Sequence, residues 1–179
     1  MIKSGWSPYE EWQKAQDTRI ASSAALLIEN SAGELLTVKA YYKTHWSLPG
    51  GMVDAGETPL QAALRETQEE VGLVVTEEEV SFFAVASRSS DKGLAHQYVF
   101  RAVLDDERLE RIVLQQSEID AYQFMSRDAV LASDEGFAWS IPHWAHRRPG
   151  GYVETQIIDS DDKRQEAVTQ FVGFGSKEK

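Results

Sequence analysis

The sequence predicts an α/β fold, and three observations carry that prediction. Apolar, small-residue runs separated by turn chemistry read as strands before residue 41 and again after residue 80. Between them lies one stretch with helical periodicity and a capping signal at each end. A short, Ser-capped helix follows the last strand-like run.

The elements follow in order. Ser7 to Asp17 has Ser at a cap position and Pro8 at the first helical one, so a short helix is expected over 7–17. Ile20 to Glu29 suits a buried strand. Asn30-Ser31-Ala32-Gly33 is a turn, and Glu34 to Ala40 resumes as a partner strand. Val80 to Arg88 and Leu94 to Leu104 form a hairpin around Ser89-Ser90-Asp91-Lys92-Gly93. Ser117 to Met125 approaches another strand, and Ser126 caps a helix to about Leu131. Tyr152 to Ile158 has strand-like content, and Ser160 to Val172 is expected as a helix. No repeat or low-complexity tract interrupts the chain.

The central helix is the best specified element. Thr58 is a good N-cap, Gln61 completes a capping box, and Pro59 falls at the first helical position. Gly72 suits the left-handed position after the last turn. At about 100° per residue, Leu60, Leu64, Thr67 and Val71 share one face. Glu66, Glu69 and Glu70 cluster within an arc of about 100° on roughly the opposite side. A solvated acidic face would explain three glutamates on any helix. It does not explain WSLPGG upstream, Glu57, or the intervening Arg65. Clustered carboxylates are what hard divalent cations bind, together with water and substrate phosphates.

The segment GMVDAGETPLQAALRETQEEVGL, residues 51–73, fits G-x5-E-x7-R-E-x-x-E-E-x-G-[apolar]. Its fixed members are Gly51, Glu57, Arg65, Glu66, Glu69, Glu70 and Gly72. Seven positions at background frequencies give chance odds on the order of 10⁻⁸ per starting point, so coincidence is set aside. The segment resembles the signature of the Nudix hydrolase family. That resemblance covers about residues 20–132 and implies an α/β/α sandwich with a mixed sheet between helices. It implies a Nudix domain over 1–133, with 134–179 as an extension packed on it.

The resemblance also implies roles. Glu66, Glu69 and Glu70 are metal ligands or their close helpers, and Glu66 is a candidate base. Arg65 holds a box glutamate by an ion pair. Gly51 lets the loop turn and can offer its carbonyl to the metal, while Glu57 and Gly72 are structural. Thr67 stands where the family usually has a bulky aliphatic, which touches packing and not chemistry. Glu118 precedes Phe124-Met125-Ser126 at the spacing of a second family glutamate that ligates metal or acts as base; the alternative is a surface glutamate. Arg88 ends a strand and is a candidate phosphate contact, a solvated arginine being the default. The implied cofactor is Mg²⁺ or Mn²⁺.

Composition sets outer limits. At 179 residues the chain can bury one full core. Its net charge of −11 argues against a nucleic-acid partner or an anionic membrane surface. It does not argue against a nucleotide, because bound metal reverses the local field. With no cysteine, disulfides, thiolate sites and the cysteine-dependent isopentenyl diphosphate isomerases are excluded. MIKSGWSPYEEW has no apolar signal-like region, and no apolar run approaches about 18 residues, so cytoplasm is the default.

The expected function is metal-dependent hydrolysis of a pyrophosphate bond in a nucleoside diphosphate linked to a group X. Nucleoside triphosphates, including oxidised ones, are slightly favoured, with ADP-sugars next. The competing class is a Nudix domain that binds a nucleotide or protein partner without turnover, but such domains often lose box carboxylates, and here all are present. Residues 134–179 hold Trp139, Trp144, His143, His146, Arg147 and Arg148. Packing of the tryptophans is favoured over base recognition. The segment is expected to shape the substrate pocket or a homodimer interface, the alternative being that it only covers apolar core.

Overall fold

The computed structural model describes residues 20–160 and 163–173, so the helix expected over 7–17 lies outside the described residues. One mixed sheet of eight strands dominates them. Its strands are β1 (Ala21–Glu29), β2 (Leu35–Ala40), β3 (Gly50–Met52), β4 (Ser81–Ser90), β5 (Gly93–Val103), β6 (Ile119–Met125), β7 (Gly151–Ser160) and β8 (Lys163–Gly173). The helices are α1 (Pro59–Val71), α2 (Asp106–Leu109), α3 (Arg127–Ala132) and α4 (Ser140–Ala145). Along the sheet the order is β6-β2-β1-β5-β4-β7-β8, with β3 pairing to β1 off that path.

The centre of the sheet is β1, because Ala24 to Glu29 are buried on both faces. It runs parallel to β5 along its full length, from Ala21↔Ala95 to Glu29↔Val103. Its other edge is divided. The first half takes β3 antiparallel, through Ser23↔Met52 to Ala25↔Gly50, and only Glu29↔Leu35 joins β2. The strands β1 and β2 therefore diverge, and the chain from 41 to 50 fills the opening. Ser47 bridges to Val38, and the Leu26 N–H donates to the Pro49 carbonyl at 2.9 Å.

On one face Leu26, Ile28 and Ala102 pack against Val71, Leu73 and Val75, which seats α1. On the other face Ala25, Leu27, Ala84, Ala86 and Val99 pack with Trp139, Ile141 and Trp144. The segment after 133 is thus part of the core: β7 lies parallel to β4, from Ala84↔Gly151 to Ser89↔Gln156, and β8 pairs antiparallel with β7. Trp139 and Trp144 are buried, and the Trp139 Nε1 donates to Gln97 at 2.6 Å.

The helix expected over 160–172 is corrected: Ser160 ends β7, and Lys163–Gly173 form strand β8. Local preference is weak there, since Val168, Thr169, Phe171 and Val172 favour strands as well as any competing helix. The open edge of β7 decides, because β8 satisfies its backbone groups and brings Phe171 onto the core. Helix α4 gave no sequence signal, being short and containing Pro142. That proline sits third in the helix, where an N–H has no intrahelical acceptor anyway.

Candidate active site

The site is built by α1 and the chain before it. The Thr58 hydroxyl accepts from the Gln61 N–H at 3.2 Å, and the Gln61 side chain accepts in return from the Thr58 N–H at 2.9 Å. Pro59 occupies the first helical position, and Gly72 closes the helix with φ 73°. The buried arc is wider than the apolar stripe: Ala62, Ala63, Thr67, Glu70 and Val71 are all buried. Thr67 loses nothing there, because its hydroxyl donates to the Ala63 carbonyl at 2.7 Å.

Glu70 departs from the expected acidic face. It is 2% exposed, because the loop at Gly50 closes over it and the Gly50 N–H donates to Oε2 at 2.8 Å. Burial pushes its carboxyl up to about 7; the Gly50 bond and Lys43 oppose this, while Glu66 and Glu118 add to it. Glu69 stays half-exposed on the outer side.

Arg65 binds the cluster together. Its Nε and Nη2 grip Glu57 as a fork at 2.9 and 3.1 Å, and Nη2 also donates to the Met52 carbonyl. Its Nη1 reaches Glu66 at 2.9 Å and Glu69 at 3.0 Å. The Glu57 bonds, first, hold the guanidinium charged, and Arg65 in turn holds the Glu57 carboxyl below its usual range. Gly51 is required for space, since a Cβ built there would lie 2.3 Å from Glu66 Oε1. Burial raises the Glu66 carboxyl; Arg65 opposes this, and Glu69 and Glu118 add to it.

Glu118 comes from the loop just before edge strand β6 to face this cluster. Its carbonyl accepts from the Tyr41 N–H, its N–H donates to Gln115, and the Gln115 N–H donates to the Glu70 carbonyl. The Tyr42 hydroxyl donates to Glu118 Oε1 at 3.3 Å. Desolvation and then Glu118 push that phenol up to about 12, with Glu70 and Glu66 contributing. Tyr42 was not singled out from the sequence, and a Tyr-Tyr pair in a loop carries no signal that could have found it.

Arg88 lies elsewhere. It forks onto Glu166 of β8 at 2.7 and 2.8 Å, and Thr155 donates to the same carboxylate. With Nε and Nη2 both engaged, its structural partner is β8. Trp46 packs against the core beneath the loop, and its Nε1 donates to Glu135.

A hard cation suits this donor set by chemistry and charge. Glu118 raises the proton affinity of both Glu66 and Glu70, which is excess negative charge in a partly buried place. Among the described residues no three such side chains converge on one point, because Arg65 draws Glu66 and Glu69 toward itself.

Comparison with known proteins gives a consistent picture. The family model described as NUDIX domain matches residues 19–154. The RNA pyrophosphohydrolase of Aliivibrio fischeri is 45% identical over 51 residues, 28% of this chain and 30% of that protein. The chain thus matches under a third of that relative's length. The RNA pyrophosphohydrolase of Actinobacillus succinogenes is 27% identical over 158 residues, 85% of this chain and 74% of that protein. Among solved structures, the C. elegans Ap4A hydrolase binary complex superposes with TM-score 0.56 at 25% identity, covering 72% of this chain and 94% of that one. The MutT protein from Bacillus halodurans reaches 0.61 at 18% identity, covering 84% and 98%, a likeness of fold alone.

Proposed function

The chain belongs to the Nudix family, and on that premise we propose that it is a hydrolase cleaving a pyrophosphate bond in a nucleoside diphosphate linked to a further group X. The observation that carries this reading is the intact, interlocked carboxylate set: Glu57, Glu66 and Glu69 on Arg65, Glu70 on Gly50, and Glu118 facing them. A module that only binds would not need Glu66 and Glu70 held against burial beside Glu118, with Glu57 and Glu69 anchored on the same arginine.

Glu66, Glu70, Glu118 and the Gly51 carbonyl would hold Mg²⁺ or Mn²⁺, with Glu69 beside them. The ion would supply neutralisation of the polyphosphate and a water of lowered pKa. The chain's own groups do the rest. Arg65 positions Glu66 against the Gly51 backbone. Either Glu66 or Glu118 accepts the proton of the attacking water, and Tyr42 orients Glu118 through its hydroxyl. Nucleoside triphosphates are the preferred substrate class. The relatives named RNA pyrophosphohydrolase favour a second reading, a 5′-triphosphate at the end of an RNA.

A phosphate and pyrophosphate release screen tests this, over nucleoside triphosphates, oxidised triphosphates, ADP-sugars, dinucleoside polyphosphates and a 5′-triphosphorylated RNA, with Mg²⁺ and Mn²⁺. Glu70→Gln keeps an acceptor for the Gly50 N–H, so it is expected to fold and to lose most of the rate. Turnover of any substrate that is equally fast in excess EDTA would end the proposal.

A further inference from the structure

The opposite end of the sheet carries a feature the hydrolase reading does not use. The β2–β6 ladder has Ala40↔Ile119 at the Glu118 end and Leu35↔Met125 at the other. Five steps of about 3.3 Å put roughly 16 Å between the Glu118 end of that ladder and its second end. There a cleft of about 410 Å³ is lined by Arg101 of β5, Arg127 of α3, and Arg147 and Arg148 after α4. Phe82, Trp144 and Pro149 complete much of its wall, and no carboxylate is among its lining residues.

Four arginines in one cleft stand out in a chain of net charge −11. One buried carboxylate lies behind them. Glu29 takes Arg101 at 2.5 Å and Arg127 at 3.1 Å, and also accepts from the Trp144 Nε1 at 2.9 Å. Arg127 is further fixed by stacking 4.0 Å over the Trp144 ring and by donating to the Trp144 carbonyl. Its guanidinium is pushed down by burial; Glu29 opposes this, and Arg147 and Arg101 add repulsion. The cleft thus has a rigid cationic floor.

Arg147 and Arg148 are exposed at its rim and have no carboxylate partner among the described residues. Their placement is set by the backbone. Arg147 has φ 55°, the one positive value at a non-glycine among the described residues. The turn is pinned by the Arg147 N–H to the Trp144 carbonyl at 2.9 Å and by the Arg148 N–H to the His143 carbonyl at 3.3 Å. Consecutive arginines are thereby held on the same cleft instead of pointing to opposite sides.

Guanidinium forks match the oxygens of a phosphate group, and a cleft of this size holds a small molecule. We propose that the Arg101, Arg127, Arg147 and Arg148 cleft is a second, metal-independent binding site for a phosphate group, free or at the end of a nucleotide. It stands whether or not the hydrolase reading holds.

Metal independence gives the test. Full-length protein in excess EDTA is titrated by calorimetry with inorganic phosphate, pyrophosphate and ADP, so that the carboxylate cluster, itself anionic, takes no part. Saturable binding is expected, weakening at least about tenfold in Arg147→Gln/Arg148→Gln and falling with added salt. Both side chains are exposed, and an unchanged melting temperature without ligand confirms that the variant folds. If the double variant melts early, Arg148→Gln alone makes the same comparison. Equal affinity for pyrophosphate and ADP assigns the site to the phosphate chemistry itself. Tighter ADP assigns it to a nucleotide whose base meets Phe82. No saturable binding of any probe in EDTA, or undiminished binding by the variant, overturns the proposal.

Discussion

Glu29→Ala is the substitution whose cost the structure fixes best. Glu29 is 3% exposed and accepts from three donors, the Arg101 Nε, an Arg127 Nη and the Trp144 indole. Removing the carboxylate leaves two guanidiniums and a buried indole N–H uncompensated. Deleting one partner of a buried ion pair costs about 3–5 kcal/mol. Arg101 is 44% exposed at its side chain and can rehydrate, whereas Arg127 at 22% can do so less. That places the loss near the lower bound, about 3 kcal/mol. For a chain of this length the melting temperature then falls by roughly 6–12 °C. Glu107→Ala is the matched control: its partner Arg111 is 70% exposed, Glu107 itself 79%, and the pair is spaced i,i+4. Its loss should be within roughly 1–2 °C. Urea denaturation at neutral pH measures both, with the slope checked for constancy. If Glu29→Ala moves the midpoint no further than Glu107→Ala, the reasoning about buried charge here is wrong.

Three further expectations follow from the site and its surroundings. Gly51→Ala places a Cβ 2.3 Å from Glu66 Oε1, so the carboxylate must leave its seat on Arg65; kcat should fall roughly 10²-fold with little change in melting temperature, and an unchanged kcat would show that the seat does not matter. Glu118→Gln should lower kcat about 10²-fold or more on the best substrate, while an unaltered kcat/KM would demote Glu118 to a surface residue. His143 is buried among Phe83, Trp139 and Phe171, its Nε2 bonded to the Pro149 carbonyl and its Nδ1 without a partner among the described residues. Burial pushes its imidazole below the usual range, so between the two pKa values the unfolded chain binds more protons. Its stability contribution is complete above about pH 6.5 and is lost as pH falls through the lower, folded value. Denaturation midpoints from pH 8 to 5 should therefore drop more steeply in the wild type than in His143→Phe, and parallel curves would refute this.

The residues determined by sequence alone are those whose signals are local. Thr58, Gln61, Pro59 and Gly72 bound α1 because capping bonds join residues three or four apart. Ser126 likewise caps α3, with its hydroxyl accepting from the Ala129 N–H. The run from Ile20 to Glu29 suited a buried strand, and Ala24 to Glu29 are buried; the family resemblance implied that Arg65 pairs with a box glutamate, and Arg65 pairs with Glu57, Glu66 and Glu69. What only the tertiary structure decided depends on partners far along the chain. Glu70 is buried because a loop 20 residues earlier closes over it. Glu118 meets Tyr42 across 76 residues, and Glu29 meets Trp144 across 115. Residues 163–173 are a strand because β7 offered an unpaired edge, although their own preferences left helix open. Periodicity and caps record which side of an element is apolar and where it ends; they hold no information about which distant element supplies the facing charge or the missing hydrogen bonds.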